Sequence, residues 1–366
     1  MNKKALRADI LLLLTAAVWG FGFVAQRSGM EYIGPFAFNG IRFILGSLSL
    51  LPLIFFRRKK LTQSALPPAA LFPFKRILLS SFFAGTLLFA AVILQQFGII
   101  FTTAGNAGFI TGLYVVFTPV FGIFLGRKTG LPTWIGSVLT LAGLYFISVA
   151  GNPGSINPGD VIIFISAFFW TAHVLLIDRL MNTANRMKNT KINDQMINNG
   201  SGINNDALSA ESQPHLDPVE LSAGQFAFCG IYSLIGAFTA EPFVVQIVEG
   251  IDPSLLSVGL FSWLPFPQLI SAVNAGTVYI TAEAIIPVLY GGLCSVGIAY
   301  TLQVVAQRDA PPAHATIILC FEGCFAALGG ALILSEKFGM WTLIGFAFML
   351  AGMMATQLDI QKKINK

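Results

Sequence analysis

Long apolar blocks broken by short polar punctuation dominate the chain. They run at roughly 8 to 28, 34 to 56, 77 to 99, 106 to 126, 132 to 150, 160 to 181, 218 to 240, 281 to 306, 312 to 334 and 339 to 358. Crossing the hydrocarbon layer takes about 20 apolar residues in helix, so the pattern predicts ten transmembrane helices. The expected fold class is all-α integral membrane.

Composition agrees: 55% of the residues are apolar, 11% are charged and the mean hydropathy is +0.74. So few charges cannot cover a water-facing surface. The net charge of +5 does not call for a nucleic-acid partner, because the basic residues sit in short loops between apolar runs. With the N-terminus inside, 19 of the 22 Lys and Arg residues fall in cytoplasmic loops or termini. Arg27 and Lys337 lie outside and Arg42 lies within a helix. The basic bias therefore predicts both termini in the cytoplasm, with Glu31, Asp160, Glu241, Glu249, Asp252 and Glu336 on the far side. Lys3, Lys4 and Arg7 ahead of Ile10 to Ala25 also fit a cleaved signal peptide, but this segment has a counterpart deeper in the chain. Cys229, Cys294, Cys320 and Cys324 fall in apolar runs and read as small core residues.

Two regions depart from short loops. Residues 182 to 216 carry eight asparagines with Ser, Gly, Lys and Asp, and are expected to form a disordered cytoplasmic linker. Residues 243 to 280, with Trp263, Pro265 and Pro267, read as an interfacial loop or partial helix on the outer side.

The chain also repeats itself. At an offset of 151, Asp9, Ala16 and Trp19 fall on Asp160, Ala167 and Trp170; at 183, Pro35 and Phe43 fall on Pro218 and Phe226. At 204, Phe117, Phe121 and Gly126 meet Phe321, Phe325 and Gly330; at 209, Gly136 and Leu141 to Gly143 meet Gly345 and Leu350 to Gly352. The matches are colinear and each growth in offset falls in a predicted loop. A unit of five helices is odd-numbered, so its second copy enters from the opposite side. The expected organisation is two inverted five-helix repeats, 8–150 and 160–358, the linker lying within the second. Inverted repeats of this kind are a transporter architecture with the site near mid-bilayer.

The stretch from Leu94 to Pro119, LQQFGIIFTTAGNAGFITGLYVVFTP, and that from Ala313 to Glu336, AHATIILCFEGCFAALGGALILSE, resemble the corresponding segments of EamA-type transporters in the drug/metabolite transporter superfamily. The resemblance covers nearly the whole chain apart from the linker and outer loop. It implies ten helices in two repeats and export or exchange of small metabolites, amino-acid-like, nucleotide-like or drug-like, by alternating access. It also implies a multi-pass protein of the bacterial cytoplasmic (inner) membrane. Gly323 stands where the family commonly has proline after the glutamate, and the first repeat lacks the Gly-Glu ending of its fourth helix.

Glu322 lies about ten residues into its helix, hence about 15 Å along it at 1.5 Å per residue, near the membrane centre. A charge there costs at least a few kcal/mol unless hydrated or paired. It reads either as a carboxyl that binds a coupling proton or cation, or as a paired glutamate holding helices together. Arg42 is open to three readings: pairing with Glu322, gripping a substrate carboxylate, or snorkelling to the headgroups. Gln95 and Gln96 lie about 100° apart on one helix, so at most one points squarely into a cavity. Asn106, Tyr114, Gln225, Tyr300 and Gln303 are further polar candidates for substrate contact or interhelical hydrogen bonds. Trp19 and Trp170 hold equivalent mid-helix positions, away from interfacial belts, and read as paired cavity walls or core packing. Gly108 with Gly112 and Gly122 with Gly126 are spaced for helix contact. His173 and His314, each alone in an apolar helix, read as satisfied core residues.

No cofactor is expected. The expected partners are a small-molecule substrate, the lipid bilayer and a proton as coupling ion, with room for a homodimer. A polytopic enzyme would need paired catalytic groups at membrane depth, and the sequence has no His-Glu-x-x-His run, no Gly-x-Ser-x-Gly elbow and no second intramembrane acid beside Glu322. A channel or scaffold is the remaining alternative to a carrier.

Overall fold

Among the described residues eight helices are long and apolar enough to cross a membrane, and two shorter apolar helices, Leu131–Tyr145 and Leu343–Thr356, accompany them. This computed structural model describes residues 3–61, 74–126, 129–146, 158–198, 216–250, 282–335 and 339–364. Every regular element among them is helical. Lipid offers no hydrogen-bond partners to an open backbone, and helices satisfy theirs internally.

In chain order these are α1 (Lys3–Gly29), α2 (Pro35–Leu61), α3 (Phe74–Ile99), α4 (Ala104–Thr111), α5 (Tyr114–Phe124), α6 (Leu131–Tyr145), α7 (Pro158–Asn198), α8 (Pro218–Gly250), α9 (Ala282–Leu289), a π-helical segment (Tyr290–Tyr300), α10 (Thr301–Ala306), α11 (Pro312–Leu319), α12 (Phe321–Ile333) and α13 (Met340–Ile364). α4 and α5 make one interrupted span, as do α11 and α12, and as do α9, the π segment and α10. α7 stays helical to Asn198, so the segment expected to be disordered from 182 begins as helix. Ala184, Arg186, Met187, Lys188 and Lys191 favour helix enough to extend an existing one. The rest of that linker to 215 lies outside the described residues, as do 251–281 of the outer segment, while α8 runs on to Gly250.

Packing is by small residues that let backbones approach, the usual means of helix association where lipid is as apolar as the side chains. α2 lies against α8 and against the π segment, α6 against α13, α3 against α7 and α8, α1 against α12 and the π segment, and α4 and α5 against α7. A β-carbon on Gly20 of α1 would stand 2.7 Å from the Glu322 carbonyl oxygen and 2.8 Å from the Ala326 nitrogen. The α6–α13 contact is reciprocal. Gly136 faces the Gly352 carbonyl and Gly143 faces the Gly345 carbonyl, with imagined β-carbons at 2.7 and 2.6 Å. Gly126, after α5, takes a left-handed φ of +72°, and Ser335, after α12, has φ of 56°. Large apolar side chains point outward where lipid would meet them, Phe124 being 83% and Ile286 77% exposed.

Candidate functional site

Two helix breaks face one another at the middle of the bundle. α4 ends at Thr111 and α5 begins at Tyr114, while α11 ends at Leu319 and α12 begins at Phe321. The eight-residue halves α4 and α11 start 208 positions apart. The Cys320 thiol donates to the Gly112 carbonyl at 3.2 Å, and the Tyr114 hydroxyl donates to Glu322 Oε1 at 3.0 Å, both pairs also separated by 208. The structural match is thus one helical turn from the sequence offset of 204. A four-residue slip keeps the same face of a helix, so apolar matching alone could not choose between them. The break puts Glu322 in the first turn of α12, where the helix dipole favours a carboxylate. Glu322 is 3% exposed and lies at the middle of the span Pro312–Ile333.

Beside it stands an aromatic wall. Trp19 and Tyr300 have ring centroids 4.5 Å apart, Trp170 stacks on Tyr300 at 5.9 Å and 17°, and the two tryptophans are 6.3 Å apart. Phe43 and Phe226 close the other side of Tyr300 at 6.0 and 5.7 Å. Trp19 Nε1 donates to the Ser295 carbonyl at 3.2 Å, which ties α1 to the π segment.

Arg42 is buried, 2% exposed. Its Nε donates to Asn39 Oδ1 at 2.8 Å and Asn39 Nδ2 donates to the Val92 carbonyl at 3.4 Å. The guanidinium lies 5.3 and 5.0 Å from the Phe38 and Phe43 ring centres, each within cation–π range. It neither snorkels to the headgroups nor forms an ion pair with Glu322. Arg42, Glu322, Tyr114, the two tryptophans and Tyr300 bound a small chamber, with a void of about 30 Å³, completed by Phe23, Gln26, Gln95, Thr111 and Ser295.

Of the two adjacent glutamines only Gln95 faces the chamber, where its Nε2 donates to Thr111 Oγ1 at 2.8 Å. Gln96 is fully buried elsewhere, both its polar atoms unpartnered. Gln225 sits off the chamber, bonded to His173 at 2.9 Å, and Gln303 is likewise buried outside the lining. Asn106 is also outside it, its backbone N–H donating to Thr103 Oγ1 at 3.1 Å. His314 is held by Asp9 at 2.7 Å and Thr356 at 3.2 Å.

Sequence reasoning passed over Gln26, Phe23, Thr111 and Ser295. Trp19, Phe23 and Gln26 follow the i, i+4, i+7 spacing of one helix face, a signal present in the sequence. Asn39, which orients Arg42, lies three residues before it on the same face.

A helical bundle with many apolar spans around a buried polar chamber defines a multi-pass membrane protein. The model of the EamA-like transporter family matches residues 6–149 and 254–357. The chain belongs to the EamA-like transporter family. An uncharacterized transporter of Archaeoglobus fulgidus is 31% identical over 188 residues, 50% of this chain and 52% of the relative, so the chain spans about half of that relative's length. The uncharacterized transporter YvbV of Bacillus subtilis is 26% identical over 279 residues, 74% of this chain and 78% of the relative. The uncharacterized inner membrane transporter YedA of Escherichia coli is 27% identical over 158 residues, 42% of this chain and 47% of the relative. One solved crystal structure superposes with a TM-score of 0.64 over 97% of this chain and 98% of that one, at 13% identity, a likeness of fold alone.

Proposed function

We propose that this membrane transporter is a secondary carrier that binds a small metabolite in the central chamber and moves it by alternating access, in export or exchange. The observation that carries the reading is the chamber itself: one buried carboxyl at mid-span, hydrogen-bonded across two helix breaks and walled by paired tryptophans. Glu322 is the proposed coupling group, taking up a proton.

The proposal includes ten transmembrane helices in two inverted repeats, 8–150 and 160–358, with α6 and the apolar part of α13 as the two shorter spans. Support comes from equivalent residues meeting each other. Trp19 meets Trp170, and Phe43 meets Phe226 with ring centroids 6.1 Å apart. The crossed Gly136–Gly352 and Gly143–Gly345 contacts are what a two-fold relation produces, since each contact then appears twice with partners exchanged. The helix pairings repeat in the same manner, α1 with α12 as α7 with α4 and α5. In this reading both termini lie in the cytoplasm, as the basic loops direct, and the membrane is a bacterial inner membrane.

The test is counterflow in proteoliposomes loaded with a candidate solute. Saturable exchange that accelerates with solute on the opposite side is expected. Unsaturable flux would establish a channel, and no flux with any solute bound by the chamber would remove the carrier reading.

A further inference from the structure

Arg42 is a desolvated cation awaiting a counter-ion. Among the described residues no carboxylate lies within ion-pair distance of it, and its two terminal nitrogens have no hydrogen-bond acceptor; only Nε is engaged, by Asn39. Burying a charge without an ion partner costs several kcal/mol. Phe38 and Phe43 offset part of that through their ring faces, and the free edge of the guanidinium belongs to the chamber wall. A planar fork with unused parallel N–H groups matches a carboxylate in two-pronged geometry.

The remaining wall limits what carries that carboxylate. Trp19, Trp170 and Tyr300 pack on one another along the chamber, an aromatic cluster that takes one more planar ring between its members as they part. The void among these groups is about 30 Å³ in this structure, room for a water or two, so the rings must part to admit a solute.

Charge fixes the valence. Among the described residues, Arg42 and Glu322 are the only Arg, Lys, His, Asp or Glu lining the chamber. Tyr114, Tyr300, Cys320 and Cys324 are the other titratable groups around Glu322. With Arg42 charged and Glu322 ionised the empty chamber is neutral. A bound monoanion restores neutrality only if Glu322 takes up one proton, which comes from solution with the solute. A dianion would leave a net charge at mid-bilayer.

Building on the carrier reading, we propose that the chamber binds a monoanionic aromatic carboxylate, its carboxylate on Arg42 and its ring among Trp19, Trp170 and Tyr300, together with one proton on Glu322. The purified full chain in detergent provides the test through quenching of its tryptophan fluorescence. Phenylacetate should quench saturably. Its affinity should exceed those of 2-phenylethanol, phenethylamine, phenylalanine and phenylmalonate by about tenfold or more, the worth of hydrogen bonds to a charged group. Arg42→Gln should lose about tenfold or more, and Arg42→Lys, which keeps charge without the fork, should fall between. In weakly buffered alkaline medium, where Glu322 is ionised in the empty chamber, a pH indicator should show wild type taking up one proton per phenylacetate and Glu322→Gln none.

Equal binding of the alcohol, amine or zwitterion, unchanged affinity in both Arg42 variants, absence of quenching by phenylacetate, or no proton uptake by wild type in the alkaline medium would each overturn the proposal. The carrier reading fails separately, by absence of counterflow. A chamber that prefers amines would leave it standing.

Discussion

Replacing Gly20 by alanine tests the packing that holds Glu322 in place. The new β-carbon would stand 2.7 Å from the Glu322 carbonyl oxygen and 2.8 Å from the Ala326 nitrogen, and would strike the Phe325 β-carbon as well. All of these are backbone or the root of a side chain, so no rotamer change makes room and α1 must move off α12. Overpacking of this kind costs about 1–3 kcal/mol. Gly22→Ala is the matched control, because its β-carbon would meet the Ser295 hydroxyl oxygen at 3.4 Å, its Cβ at 3.8 Å and Gln26 Nε2 at 4.0 Å, all ordinary contacts. Both substitutions remove a helical glycine and gain about 1 kcal/mol of helix propensity, so the difference between them isolates the clash. Unfolding in mixed micelles should place Gly20→Ala about 1–3 kcal/mol below Gly22→Ala. Equal stability would refute the close approach of α1 and α12. Because Trp19 precedes Gly20, phenylacetate quenching should weaken in the same variant.

Glu322→Gln in proteoliposomes should abolish the dependence of solute flux on a pH gradient while the protein stays folded; retention of wild-type dependence would take Glu322 out of the coupling. Asp217 caps α8, its Oδ1 accepting from the Val219 and Glu220 nitrogens at 2.8 and 3.3 Å, and it pairs with Arg57 at 3.1 Å. Asp217→Ala should therefore cost about 1 kcal/mol from the cap. Glu220→Ala, which loses a half-exposed pair with Arg58, should cost roughly 0–1 kcal/mol; the reverse order in micelle unfolding would count against the cap. Gly126→Ala meets no atom within 4 Å but sits at a φ of +72°, so only backbone strain of about 1–2 kcal/mol is expected. Gly126→Asn should recover part of it.

The chamber's main fixtures are visible in the sequence because rarity marks them. A lone acid, a lone base and two equivalent tryptophans stand out in apolar helices, and the structure gathers all four around one space. Single neutral polar residues carry no such mark. Gln95 and Gln96 differ only by the 100° of one helical step, and the sequence does not say which direction faces inward. Ser295 and Tyr300 were unreadable as partners for a different reason. Five residues apart, they fall on different faces of an α-helix, and only the i to i+5 bonding of a π-helix brings both to the chamber. That widened turn depends on packing of Gly291, Gly292 and Gly297 beside Arg42, Leu45 and Ser49 of α2, a tertiary fact. Arg42's placement likewise rests on Asn39 and two phenylalanines, contacts that its position in the sequence could not choose over snorkelling.

The crossed glycines of α6 and α13 have a mechanical consequence. At Gly136, Gly143 and Gly352 the main chain of the facing helix comes about as close as the side chains of Thr356, Met349 and Thr140 do. The facing carbonyls of Gly352, Gly345 and Gly136 cannot rotate aside as a side chain can, which ties the two helices closely. In the alternating-access cycle proposed above they would form the fixed pair, leaving the displacement to the helices that carry the rings.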